Sequence, residues 1–351
     1  MSKNALIFAL SLFVICSAYA AAEPLNPDIS VIGQFYSKYT NDAQDVNHDK
    51  TTMNMGETEL VCESNLNPYA KGTFVFSISN DEGFQTEEAY ITVFNGLPAG
   101  LALKAGKYRI GFGKLNPEHP HAYPFMEAPR VMSAMLPGEE SFNDTAAQAS
   151  YMLPITDKIA SIVSVDVLNG SSFHPEEDKS SSAWVARWSN SFLIKDVTPL
   201  EIGFSFTQGT NNVEWDKKTT VFGMDAKTKL KLSKTSNLTI QGEYFYNDSD
   251  VLVSESTGES VNSKRSGFYT FANFSFLQRW NAGIIYDQYQ NPENKELTDR
   301  TAKVFAGYSL LEETTVLRLA YEKFTPQDGE ISDTVSFQLV FMMGPHKAHK
   351  F

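Results

Sequence analysis

The chain carries six histidines: His48, His119, His121, His174, His346 and His349. Imidazole titrates near neutrality and ligates borderline metals such as Zn²⁺. The most suggestive grouping is His119-Pro120-His121, preceded by Glu118. In extended backbone, residues i and i+2 project to the same side, so two imidazoles and a carboxylate can meet one ion. The same rings serve equally well as hydrogen-bonding props of a loop. His346 and His349 form H-x-x-H on a tail, far from that pair unless the segment carrying 119–121 plunges deep. Asp45-Val46-Asn47-His48-Asp49 opens like a calcium loop. Lys50 then stands where glycine is needed and Gly56 where an acid is needed, so the match fails. The sequence holds no G-x-S-x-G and no H-E-x-x-H, and no enzymatic activity is expected.

A second group has charge rather than ligation as its chemistry. Lys107 and Arg109, with Arg187, form a candidate half-ring of positive charge facing Glu57, Glu59 and Glu88. Across a pore such a transverse field orients water and solutes and narrows what permeates. The competing reading is ion pairing that merely solvates an inner wall.

Both groups need a scaffold, and composition limits the choices. The 351 residues are 42% hydrophobic and 13% aromatic, with a formal charge of −13. A nucleic-acid partner is excluded because it requires a basic face. Residues 1–20 read as a secretory signal peptide: Lys3, an uncharged apolar run over 5–18, then Ala18-Tyr19-Ala20 before the cut. Cleavage removes Cys16 and leaves Cys62 alone, a lone thiol best read as a small buried or lipid-facing apolar residue.

The remainder, 21–343, alternates with period two. Leu200, Ile202, Phe204 and Phe206 share one face, as do Leu238, Ile240, Tyr244 and Tyr246, and Val335, Phe337, Leu339 and Phe341. Sixteen strands are predicted: 28–37, 57–65, 69–79, 87–94, 101–113, 145–153, 159–168, 182–189, 200–207, 219–232, 237–246, 267–276, 280–288, 301–310, 314–324 and 334–343. The connections alternate long and short, as the two rims of an outer-membrane barrel do. Closure also removes the unpaired edges that lipid forbids. The fold class is therefore all-β: a transmembrane antiparallel β-barrel of about sixteen strands. The longest connection, 114–144, contains Pro117, Pro120, Pro124, Pro129 and Pro137 with Phe125, Met126, Val131, Met132 and Met135. So apolar a loop packs against something. It is expected to fold into the lumen as a constriction rather than cap the mouth.

Several stretches carry a resemblance. They are Asn65-Leu66-Asn67-Pro68-Tyr69-Ala70-Lys71-Gly72, Leu97-Pro98-Ala99-Gly100-Leu101, Lys104-Ala105-Gly106-Lys107-Tyr108-Arg109, Phe112-Gly113-Lys114-Leu115-Asn116, Gly138-Glu139-Glu140 and the tail 344–351. Together they resemble a group of Gram-negative porin-like outer-membrane proteins, some labelled zinc-regulated outer-membrane receptors. More distantly the pattern is similar to phosphate-selective porins. The resemblance implies the bacterial outer membrane, with lipid and lipopolysaccharide as surroundings, small hydrophilic solutes as cargo and a homotrimer as assembly. It leaves two functions: passive diffusion without a cofactor, or uptake of a metal ion or metal chelate with His residues as ligands. Two departures stand out. Pro345 interrupts strand pairing before the terminal Phe351, and the inner faces carry both charge signs, so anion selectivity does not follow.

Overall fold

The computed structural model describes residues 27–345, apart from 80–82, 139–140, 157, 175–180, 195–197, 255, 293 and 312–313. The leader at 1–20 and the tail with His346, His349 and Phe351 lie outside the described residues, as does the Glu139-Glu140 pair.

Seventeen strand segments follow one another: β1 (Asp28–Thr40), β2 (Lys50–Met55), β3 (Thr58–Asn67), β4 (Ala70–Ser79), β5 (Gly83–Val93), β6 (Leu101–Arg109), β7 (Asn143–Thr156), β8 (Ile159–Leu168) and β9 (Ala183–Ile194). Then come β10 (Thr198–Asn212), β11 (Lys217–Lys231), β12 (Asn237–Ser254), β13 (Glu259–Phe276), β14 (Trp280–Gln290), β15 (Thr298–Leu311), β16 (Thr315–Thr325) and β17 (Ser332–Met343). From β3 onward each pairs antiparallel with the next, and β1 joins β17 from Val31↔Met343 to Thr40↔Thr334, closing the cylinder. β2 and β3 both pair with β1, through Phe35↔Met55 and Ile32↔Glu59. They are two halves of one stave interrupted at Gly56-Glu57, so the seventeen segments make a sixteen-strand barrel.

The faces are inverted relative to a water-soluble protein. Aromatic and aliphatic side chains stand exposed outside, among them Phe204, Phe222, Tyr244, Phe274 and Phe337. Asp225, Gln241, Glu243, Asn273, Asp287 and Gln338 are buried inside. That is the wall a lipid-embedded barrel needs. Cys62 pairs with Ile29 and Phe74, both exposed on the outer wall, so its thiol belongs to the lipid face. No helix among the described residues is long and apolar enough to cross a membrane; the strands do so.

Among the boundaries that differ from the sequence expectation, three differences have a plain physical reason. β12 and β13 stay paired to Ser254↔Glu259, well beyond 246 and 267. Outside the membrane both faces of a hairpin can be polar, as in Asn247-Asp248-Ser249-Asp250, so the alternation fades while the ladder continues. β2 lies inside the expected connection 38–56 for the same reason. β6 ends at Arg109, not 113, because the chain turns inward there and buries Ile110 and Phe112.

From Ile110 to Gly138 the chain runs through the lumen, as expected, and does not cap the mouth. Pro120–Ala122 makes one 3-10 turn, and α1 (Arg130–Met135) a turn and a half of helix. Phe112, Phe125, Val131 and Met135 form one buried cluster with Phe245, Phe271, Ile285 and Phe305 of the inner wall. The Phe125 ring meets Phe271 edge-on at 5.1 Å and Phe305 at 5.7 Å, the edge-to-face geometry aromatic pairs favour. The barrel's apolar core thus lies between its third long loop and the staves opposite.

Candidate functional site

Polar anchors set the position of the loop. Glu243 on β12 accepts hydrogen bonds from the backbone N–H of Lys114 (2.9 Å) and Leu115 (2.8 Å) and from the Tyr269 hydroxyl (2.6 Å). A carboxylate accepting backbone donors in a low-dielectric setting is a strong tether. Gly113 makes that approach possible. Its φ is +66°, and a β-carbon there would lie 1.9 Å from Glu243 Oε2. Farther along, buried Arg318 on β16 donates through Nη2 to the carbonyls of His121 (2.9 Å) and Tyr123 (2.7 Å), and through Nη1 to Gln338 (2.9 Å). Asn281 donates to the Pro124 carbonyl at 3.0 Å, and Asn247 to that of Met135 at 2.8 Å. Arg130 on α1 pairs with Glu322 at 2.7 Å, which also holds Lys303 at 2.8 Å.

The anchored loop brings the two histidines to the β3 stave. His121 Nδ1 is 2.9 Å from Glu59 Oε1, and His119 Nδ1 is 3.3 Å from Glu59 Oε2. β5 adds two more acids: Glu87 Oε2 lies 3.5 Å from His119 Nδ1, and Glu88 Oε2 lies 3.6 Å from His119 Nε2. Strand alternation would send one of these neighbours outward. The register of β4 and β5 slips at Val75↔Glu88 and Phe76↔Thr86, so Glu87 is the extra residue of a bulge and both carboxyls turn inward. Arg109 joins them: its N–H donates to Glu88 at 2.8 Å, and its guanidinium lies 3.8 Å from Glu87. Burial disfavours the charged form of His119. The carboxylates of Glu59 and Glu88 outweigh it and lift the ring to about 9, so without another cation it carries a proton at neutral pH.

The expected site residues are thus only partly assembled. Glu59, Glu88, Arg109, His119 and His121 converge, and Glu57 stands beside Glu87. Glu118 does not join the histidines. It points across the lumen to Lys227 (3.9 Å), and burial raises its carboxyl above the usual range, with Lys227 and Lys114 working against that. The two histidine rings do share a side, stacked 5.6 Å apart, although His121 sits in a 3-10 turn and not in the expected extended backbone, while Glu118 faces Lys227. Lys107 is a correction. It shares the outer, exposed face of β6 with Leu103 and Ala105, its ammonium bonded to the Thr86 carbonyl (2.8 Å), whereas Lys104 and Tyr108 face inward. Arg109 breaks that parity because the chain bends there. Arg187 borders the same space as Arg109 but is locked to Asp225 at 2.6 and 3.0 Å and to Ser205 at 2.7 Å. The expected half-ring facing Glu57, Glu59 and Glu88 is therefore not assembled: Lys107 lies outside, and Arg109 and Arg187 are paired with acids.

Sequence reasoning missed Glu87, the tethering role of the lumen-facing Glu243 and the role of Lys104, whose ammonium sits 3.8 Å over the rings of both Tyr90 and Tyr108. The adjacent acids Glu87-Glu88 were the available sign of a bulge. Nothing local marks Glu243 as a tether, because its loop partners Lys114 and Leu115 are 129 and 128 residues away.

The segment 114–122 lies between two cavities in the lumen. One of about 650 Å³ is lined by Glu63, Glu88, Lys104, Arg109, His119 and Asp225. The other, about 370 Å³, is lined by Glu118, His121, Lys227, Lys229, Arg279 and Arg318. Lys227, Lys229 and Lys231 occupy alternate positions of β11, a basic ladder running to the rim.

No family model matches the chain. It is 27% identical over 347 residues to an uncharacterized protein of Aquifex aeolicus, covering 87% of this chain and 71% of that one. Its fold is similar to the outer-membrane channel DcaP of Acinetobacter baumannii, with a TM-score of 0.60 at 12% identity over 92% of this chain and 99% of the other. It is likewise similar to OprB of Pseudomonas putida, with a TM-score of 0.63 at 10% identity over 91% and 94%. The chain thus has the fold of the outer-membrane porins, a closed sixteen-strand transmembrane β-barrel.

Proposed function

We propose that this chain is a passive outer-membrane channel for small hydrophilic solutes, narrowed by its lumenal loop. The observation that carries the reading is a polar lumen partly filled by residues 110–138 and flanked by the two charged spaces. A wall lined with both charge signs solvates ions and dipolar solutes without holding either. Uptake of a metal ion as cargo fits less well, because a donor set buried beneath the loop favours retention over release.

Liposome swelling tests the reading. Vesicles carrying the refolded protein should swell quickly in pentoses and slowly in disaccharides. Equal impermeability to both would refute it.

Charge substitution tests the wall assignment. Lys227→Glu with Lys229→Glu should move the zero-current potential in a salt gradient toward cations, since both line the lumen. Lys107→Glu should leave it unmoved, because that ammonium lies on the outer face.

A further inference from the structure

Two features of the histidine cluster are unexplained by loop anchoring. Glu59, 1% exposed at its side chain, leaves Oε2 without a hydrogen bond, and so do Glu87 Oε2 and His119 Nδ1. Buried polar atoms are seldom left so, and here three converge on one point. One donor atom from each of Glu59, His119 and His121 lies within 4.8 Å of the others.

We infer that Glu59, His119 and His121 form a resident site for one divalent transition-metal ion of the Zn²⁺ class, clasping the lumenal loop to the β3 stave. Imidazole nitrogen with carboxylate oxygen suits Zn²⁺ and disfavours Ca²⁺ and Mg²⁺, which take oxygen alone. Bonds of about 2.0–2.1 Å require the donors to close in by about an ångström. Arg318 fixes the backbone at the His121 and Tyr123 carbonyls, while the two rings meet the acids of the cluster, so side-chain rotation supplies that shift. Glu87 Oε2, 3.5 Å from His119 Nδ1, is placed to complete four ligands. Glu88, 3.6 Å from His119 Nε2, is placed to orient the ring from behind, as carboxylates do for zinc-bound imidazoles. Two carboxylates would neutralise the ion's charge. The ion would take the place of the proton that otherwise balances them, since ligating imidazole must be neutral. The inference concerns retention of an ion and stands whether or not the barrel conducts.

The test is calorimetric titration of ZnCl₂ into the full chain refolded in detergent after chelator treatment. Heat-shifted gel migration reports that each variant's barrel is formed. Wild type should bind one ion per chain. Glu88→Gln should weaken binding about 10–100-fold, the usual effect of an orienting partner. His119→Ala with His121→Ala should weaken it further still, and Glu59→Gln serves if that double variant does not fold. His346→Ala with His349→Ala should change nothing. Absence of heat in wild type would overturn the inference, as would binding that survives loss of both lumenal histidines or disappears with the tail pair.

Discussion

A barrel in which residues 120–136 are replaced by a short Gly/Ser linker should pass several-fold more current per channel than the intact chain. The excised stretch contains Phe125, Met126, Val131, Met132 and Met135, all buried against the inner wall. Removing them empties that part of the lumen without touching one inter-strand pair of the ladder, which runs unbroken from β1 to β17. The variant loses stability, because each apolar side chain of this kind contributes roughly 1.5–3 kcal/mol on burial. It also exposes Phe245, Phe271, Ile285 and Phe305 to the lumen, so cold refolding and fresh reconstitution are advisable. Conductance equal to wild type would mean that the loop is not the constriction.

The second large effect concerns the tether. Glu243→Ala should turn steady current into rapid flicker and raise the mean conductance. The substitution strands the N–H groups of Lys114 and Leu115 beneath the loop, at about 1–3 kcal/mol for each buried donor left unpaired. The loop then exchanges between docked and undocked positions. Gly113→Val should reproduce the phenotype from the other partner, since its β-carbon would collide with the Glu243 carboxylate and its backbone sits at φ +66°. Glu243→Gln keeps an acceptor oxygen and should flicker far less. Open-channel noise in planar bilayers separates the three. Quiet currents from both Glu243→Ala and Gly113→Val would show that the anchor does not hold the loop.

The barrel wall was legible because lipid imposes a strict rule on it. Within the membrane every second side chain must be apolar, and Leu200-x-Ile202-x-Phe204 or Val335-x-Phe337-x-Leu339 obeys it. Where the strands leave the membrane the rule lapses, so the outer hairpin of β12 and β13 and the segment β2 were hidden. The inward course of 110–138 was also legible, since phenylalanine and methionine in so long a loop demand a surface to pack on.

The chemistry inside the barrel was legible only in part. The pairing of His119 with His121 is local, though a 3-10 turn and not extended backbone brings their rings to 5.6 Å. Their carboxylate partner is not local: Glu59 comes from a stave some sixty residues earlier, and Glu118, the near neighbour, points to Lys227 instead. The pattern along β6 reads one residue out of parity, so Lys107, expected to face inward, faces outward in the fold. A one-residue slip exchanges the two faces of a strand, and Lys104-Ala105-Gly106-Lys107 offers little apolar contrast to fix it. The bulge at Glu87 is invisible to a period-two reading, because it consists of a break in that period.

Single-channel recording of the intact, refolded chain in a planar bilayer under a salt gradient decides whether the barrel is a diffusion channel. A loop-narrowed diffusion channel with a mixed-charge lumen should show discrete, long-lived openings of modest size and only a small zero-current potential. A silent bilayer, from protein whose barrel is shown by gel migration to be folded, would contradict the account.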